Sequence, residues 1–446
     1  MKTRQANRRH FLAGIGTVAG GMAACALADD RPVVVNPRAT DGDDLHEPDW
    51  EKRLTITVGE KSGDLIGNSE KALQAAVDYV KRFGGGTVKI LPGIYRLRNA
   101  VFLPSGIRIV GNGEETVITK EASHRVDLSD DSDWYDQEIT LKNANAFQIG
   151  DGIALQAKNP SSGSNIVIKR TIVAKSGNRL KLNEGLRENL WLSGKPTCAS
   201  LFPLFTSERT SDVLIENLSF DGNKENNENF NGNYGGCIFL QDCNRYSIRG
   251  VTTRNYNGDG ISFQICHDVV VDNCHSHDNV DLGVHPGSGS QRPLIRNNRL
   301  ERNNQGIFWC WGVKYGLAEG NRISGNRAYG ISIGHCDTDN VMRNNVITDS
   351  GKVGILFRND TRGNDFWANR NLLENNRILN SGDENGIAID ITGQTKDVRI
   401  SNNEIVETRD PMNRVGIRIG QDSSKIHLAG NQIKGFTQAI LDQRKG

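Results

Sequence analysis

Past its first 28 residues the sequence lacks any apolar run near the roughly 18 residues that a membrane helix needs. Proline is scarce, at 11 residues, and long stretches with the i, i+3, i+4 apolar spacing of a surface helix are almost missing. None of the eight cysteines forms a CxxC pair, which argues against a structural zinc site. An excess of one charge is also missing: 54 Lys+Arg stand against 53 Asp+Glu, a net charge of +1. That balance argues against a dedicated nucleic-acid binder, whose footprint is a basic surplus. At 446 residues, length alone predicts two or three compact domains.

What the chain has instead is glycine, 49 residues of it, and a short repeat. The pattern Gly-apolar-x-apolar recurs at Gly236-Cys237-Ile238-Phe239, Gly260-Ile261-Ser262-Phe263, Gly283-Val284-His285-Pro286 and Gly306-Ile307-Phe308-Trp309. It continues at Gly330-Ile331-Ser332-Ile333, Gly354-Ile355-Leu356-Phe357, Gly386-Ile387-Ala388-Ile389 and Gly416-Ile417-Arg418-Ile419, with Ala439-Ile440-Leu441 as a worn last copy. A second motif, apolar-x-(Asn/Gly)-Asn-x-Ile, interleaves with it around Asn298, Asn321, Asn345, Asn376, Asn403 and Asn431. Each short run alternates inward and outward residues, as a half-buried strand does. One such unit cannot bury its own core, so many must stack, about 4.8 Å apart. The prediction is an all-β, right-handed parallel β-helix of roughly nine coils of 23 to 30 residues. Asparagines at one register are expected to bond their equivalents one coil away.

Other segments punctuate the stack. Residues 1–28 read as an export signal: Arg8-Arg9-His10-Phe11-Leu12 precedes a Gly/Ala-rich apolar stretch ending at Ala28. The twin arginine resembles a Tat signal, with an ordinary secretory signal as the alternative. Either route predicts a periplasmic or extracellular protein. Cleavage after Ala28 and lipid anchoring at Cys25, in Met22-Ala23-Ala24-Cys25, both stay open. Residues 29–66 read as an arm or linker. Within the β-helix expected over 67–446, Asn68 to Phe83 reads as a capping helix. Asn68 or Ser69 would be its N-cap, and Ala72, Leu73, Ala76, Val77, Val80 and Phe83 its buried face. Residues 130–208 break the period and read as a β-rich insertion. Cys237 and Cys274 fall at core-like positions, where cysteine acts as a small hydrophobe.

The helix, Gly84-Gly85-Gly86, Leu91-Pro92-Gly93-Ile94-Tyr95, the Gly-Ile-x-Ile coils and the asparagine column together resemble the pectate-lyase-like right-handed β-helix superfamily over residues 67–446. That resemblance implies a fold and leaves open lyases, hydrolases, epimerases, esterases and phage spike proteins. Asp259 and Asp281, on adjacent coils, are similar in setting to the carboxylates of polygalacturonases, and the resemblance implies a catalytic pair there, as glycoside hydrolysis requires. Leu282 and Gln305 depart from that family's pattern, and Gly330-Ile331-Ser332-Ile333-Gly334-His335 echoes its glycine-rich segment one coil late.

Strand parity directs Ser262, Gln264, His285, Phe308, Cys310, Ser332, Leu356, Arg358, Ala388, Asp390 and Arg418 outward, and Trp309 inward. The unusual members lie between residues 259 and 360. His285, His335 and Arg358 are candidates for a base or a carboxylate-neutralising group, beside Asp259 and Asp281. Gln264, Phe308, Trp311 and Asp360 are candidates for holding a sugar. Asp337 and Asp339, in Asp337-Thr338-Asp339-Asn340, could hold Ca²⁺ through oxygen ligands, although Asp/Asn runs are also common turns. His275 and His277 sit on another strand and read as structural. Two functions follow: cleavage of an acidic polysaccharide, with a lyase slightly favoured over a hydrolase, or a non-catalytic glycan-binding or cell-surface role. Oligomeric state is not legible.

Overall fold

The computed structural model describes Pro32 and residues 47–445. The export signal, Cys25 and the first part of the expected arm, Pro32 apart, lie outside the described residues.

The chain is a solenoid of parallel strands. One face is an eleven-stranded sheet running from Val101–Phe102 to Gln438–Asp442. The other two faces belong to a 22-stranded sheet. Its short strands pair with their equivalents one coil on, as Leu294–Arg296 does with Leu317–Glu319 and Arg299–Glu301 with Arg322–Ser324. Inward residues merge into one apolar core along the stack, including Ile261, Val284, Ile307, Trp309, Ile331 and Ile355. Among the described residues no helix is long and apolar enough to cross a membrane.

The asparagine column forms inside the core. Asn298, Asn321, Asn345, Asn376 and Asn403 each pass an amide N–H to the next side-chain oxygen at 2.9–3.0 Å, and the run ends at Asn431. The second amide proton goes to a backbone carbonyl, as from Asn345 to Ala318 at 2.9 Å. The residue before each has a left-handed backbone: Asn297, Asn344, Asn375 and Asn402 at φ 55–57° and Gly320 and Gly430 at 64–65°. Asn and Gly tolerate that geometry best. The (Asn/Gly)-Asn pair is therefore a complete two-residue turn, one residue bending the chain and the next bonding the stack.

Several boundaries and registers differ from expectation. Leu54–Gly59 pairs in parallel with Gly86–Ile90, so the stack begins before residue 67 and inside the expected arm. Helix Glu70–Lys81 follows Ser69, whose side chain makes no capping bond. Its Leu73, Ala76, Val77 and Val80 are buried, whereas Phe83 lies past the helix end, exposed against Tyr79. The insertion is a separate six-stranded sheet with its own core, from Arg125–Asp127 to Thr197–Ala199. Phe205–Glu208, expected within it, belongs to the solenoid and pairs with Ile238–Gln241.

Two repeat copies shift. Ile238 pairs with Ile261, so Cys237 takes the place of Gly260. Ile389 pairs with Ile355, so Ala388 takes the place of Gly354 and is buried rather than outward. The column requires a small residue, because a Cβ at Gly354 would come 2.6 Å from the Ala388 carbonyl and 2.7 Å from Ile378 Cγ2.

Asn345→Ala should lower stability by roughly 3 kcal/mol, because it strands the Ala318 carbonyl and the Asn321 amides inside the core. Asn431→Ala, at a half-exposed site where water can replace the amide, should cost less. Thermal unfolding of both variants beside the parent checks the order.

Candidate active site

In-register stacking puts Phe239, Ser262 and His285 in one outward row of the eleven-stranded sheet, and Phe308, Ser332 and Leu356 continue it. Asp259 precedes the small position on the coil before His285. The two side chains meet across the coils: His285 Nδ1 lies 2.8 Å from Asp259 Oδ2. The other carboxylate oxygen accepts the Leu282 N–H at 3.1 Å. Ser262 Oγ lies 3.4 Å from the same Nδ1 and gives its own proton to the Gly232 carbonyl at 2.6 Å. Serine and aspartate thus share one ring nitrogen, which is not the arrangement of a serine nucleophile and its base. His285 Nε2 is buried without a hydrogen-bond partner. A carboxylate on Nδ1 places the ring proton there and leaves Nε2 as the basic lone pair.

Burial pushes the Asp259 carboxyl above its usual range, while the His285 bond pulls it back. The segment from Asn229 to Gly235 roofs the pair. Gly232 packs so tightly that a Cβ there would fall 1.6 Å from Asp259 Oδ2. Asn229 reaches over to donate to Asp281 Oδ2 at 2.9 Å. Asp259 and His285 are accordingly only 1% and 3% exposed.

Phe308 joins this pair to a second cluster. Its ring stands edge-on to His285, with centroids 5.2 Å apart, and carries the Arg358 guanidinium 4.3 Å over its face. Coil counting separates His285 and Arg358 by three steps, roughly 15 Å. The arginine shortens that gap by folding back, donating to Ser332 Oγ at 2.7 Å and to the Trp309 carbonyl at 2.9 Å. It lies flat on Gly334, where a Cβ would sit 2.8 Å from a guanidinium nitrogen. Two carboxylates flank it, Asp360 at 3.5 Å and Asp337 at 3.8 Å. His335 Nε2 is 2.7 Å from Asp360 Oδ2, and its ring stacks on Trp311, which carries Arg362 at 4.2 Å. Burial lowers the His335 pKa, with Asp360 opposing it.

The remaining candidates divide. Gln264 donates to Ser262 at 3.2 Å, and its buried Oε1 has no partner. Asp337 is fully buried and accepts the Val313 and Gly334 amides at 2.9 Å, and burial pushes its pKa to about 7. Asp339 turns to Arg370, which holds it through two 2.8 Å bonds. The two aspartates expected to share Ca²⁺ therefore serve different partners. Among the described residues no three His, Cys, Asp or Glu side chains converge as a metal set. His275 and His277 stack on another face and bond Glu301 and Asp278. Gly232, Gly334 and Arg362 were not among the residues assigned to the site from the sequence. The first two carried a signal, glycine where a site side chain needs a seat.

Residues 206–370 match the family described as "Right handed beta helix region". The mannuronan C-5 epimerase AlgE6 A-module of Azotobacter vinelandii superposes with a TM-score of 0.56 at 16% identity, covering 86% of this chain and 95% of that one. The chain has the β-helix fold. PfbA, a surface adhesin of Streptococcus pneumoniae, shares this β-helix with a TM-score of 0.54 at 14% identity, over 86% and 93% of the two chains. No curated protein matches in sequence. An epimerase and an adhesin on one β-helix show that the coils alone do not determine chemistry.

The raised Asp337 carboxyl favours the folded state at low pH, and that contribution fades as pH rises from about 4 towards 7. Asp337→Asn removes the titration and keeps an acceptor for only one of the two amides, a loss that does not vary with pH. Its melting temperature relative to the parent should climb across that window, and a flat difference would contradict the assignment.

Proposed function

We propose that the protein is an exported carbohydrate-active enzyme that cleaves an acidic polysaccharide, by β-elimination rather than by hydrolysis. The observation that carries this reading is His285, with Nδ1 held by Asp259 and Nε2 left unpartnered, across Phe308 from the Arg358 guanidinium. Elimination from a uronic acid unit needs a base for the C5 proton and a cation for the adjoining carboxylate. His285 Nε2 takes the proton, the C4–O4 bond breaks and a C4=C5 double bond forms. On a syn face the same imidazolium returns its proton to the departing O4, so the step balances without a co-reactant. Arg358 offsets the charge that builds on the carboxylate.

Hydrolysis instead asks for two carboxyl groups free to flank the glycosidic bond. Here Asp259 is engaged by His285 and Leu282, and Asp281 by Asn229. The export reading rests on the twin-arginine segment at Arg8-Arg9. The epimerase with this fold is named for mannuronan, a uronic acid polymer, which suits an acidic substrate. One observation favours the second reading, a non-catalytic glycan-binding or surface protein: the roof leaves Asp259 and His285 almost without exposure.

Incubation with polygalacturonate, alginate and glucuronan should raise the ultraviolet absorbance of unsaturated uronates for one of them. His285→Ala should abolish turnover and Asp259→Asn should lower kcat by about 10²–10⁴-fold, with circular dichroism unchanged. New reducing ends without that absorbance would replace the lyase by a hydrolase, and no new ends on any polymer would leave the binding protein.

A further inference from the structure

The insertion and the roof segment enclose a cleft of about 660 Å³. Three cations line it, Arg125, Lys158 and Lys195, and no Asp or Glu does. In a chain whose charges otherwise cancel, that is a local concentration of one sign. Arg125 is already paired, with Glu228 at 2.5 Å. Lys158 and Lys195 are exposed, and neither ammonium has a carboxylate partner among the described residues. Asn165, Asn233 and Tyr234 add amide and phenol groups to the same wall, the kind of lining that hydrogen-bonds sugar hydroxyls.

Position gives the cleft its meaning. Asn231 and Asn233 border it, and Gly232 between them is the residue whose carbonyl holds Ser262 and whose α-carbon presses on Asp259. The cleft and the Asp259–His285 pair therefore lie on either side of a partition one segment thick. The partition is tied down at Phe230, whose N–H bonds the Asn257 carbonyl at 2.8 Å, and by the Ser262 bond.

We propose that this cleft is a subsite for an anionic sugar unit of the polysaccharide, with Lys158 and Lys195 as its charge-recognising residues. The inference rests on the reading of the protein as acting on an acidic polysaccharide. It adds that the insertion, and not the coils alone, selects the substrate by charge. Two free ammonium groups near a partly enclosed surface attract carboxylates more strongly than isolated surface lysines, and the attraction weakens with salt. A nucleic acid would be drawn by the same charges, but the cleft is short and the chain as a whole carries no basic surplus.

The test uses the full chain carrying His285→Ala, so that ligand is not consumed, with calorimetric titration of tetragalacturonate and tetramannuronate. Maltotetraose and a short single-stranded DNA serve as comparators. One acidic tetramer should bind, maltotetraose and DNA should bind at least tenfold more weakly, and Lys158→Glu with Lys195→Glu should weaken the tetramer at least tenfold. Both lysines are exposed, so the thermal midpoint should hold and serves as the folding control. Unchanged binding by the double variant, equal binding of maltotetraose or of DNA, or no binding of either acidic tetramer would overturn the subsite. The two readings fail separately. Charge-dependent binding in a chain that cleaves nothing keeps the subsite and removes the lyase. Cleavage with an unchanged KM in the double variant, made with His285 intact, keeps the lyase and removes the subsite.

Discussion

Everything in this molecule depends on the register between one coil and the next. Parallel backbone pairing sets the spacing, but a slip by one residue would turn each strand's apolar set outward. The asparagine column opposes such a slip from inside the core, since each amide bonds the coil beyond and a carbonyl as well. Buried polar groups are costly unless fully partnered. Here the cost of losing partners works for specificity, because only one alignment satisfies the whole column. That alignment then brings Asp259, His285, Phe308 and Arg358, spread over 100 positions of sequence, into one line of contacts.

The site itself is an exercise in keeping charge inside the protein. Asp259 and Asp337 are both buried, and each is compensated differently. Asp259 has a histidine and one amide, so its two oxygens are met by the His285 ring and the Leu282 N–H. Asp337 has two backbone amides and a guanidinium at longer range, so it serves mainly as a brace for the turn that carries His335. Aromatic rings separate the charged groups. Phe308 lies between His285 and Arg358, and Trp311 between His335 and Arg362. On the proposed function, the alternation of ring and charge suits both the faces and the carboxylates of a sugar chain.

The coils were legible because their periodicity comes from two local demands, a small residue at the start of one strand and a left-handed residue before each buried asparagine. The copies at Gly236 and Gly386 were misaligned for a physical reason. The first demand is for size, and Cys237 and Ala388 meet it while a glycine stands close by. Of the site, the outward row was legible from parity, and His285, Phe308 and Arg358 do share that face. The pairing of Asp259 with His285 was not, because it runs diagonally between coils and depends on side-chain reach. Nor was the divergence of Asp337 and Asp339, two residues apart on a turn whose left-handed bend at Asp339 sends their carboxylates to different partners. The roof could not be foreseen from the asparagine-rich run that supplies it, since nothing local says which strand a long turn will cover.

The three corners of the coil are not equal. The turn with the buried asparagine is two residues long in every coil from Asn297-Asn298 to Gly430-Asn431. The corner leaving the eleven-stranded sheet has seven residues at 334–340 and fourteen at 358–371. One edge of the prism is thus a fixed rail, and another is free to grow. The free edge is the one that carries His335, Asp360, Arg362 and the turn around Trp311. The loops on that edge can lengthen coil by coil without disturbing the count that the rail keeps, so variation there is uncoupled from the registration of the core.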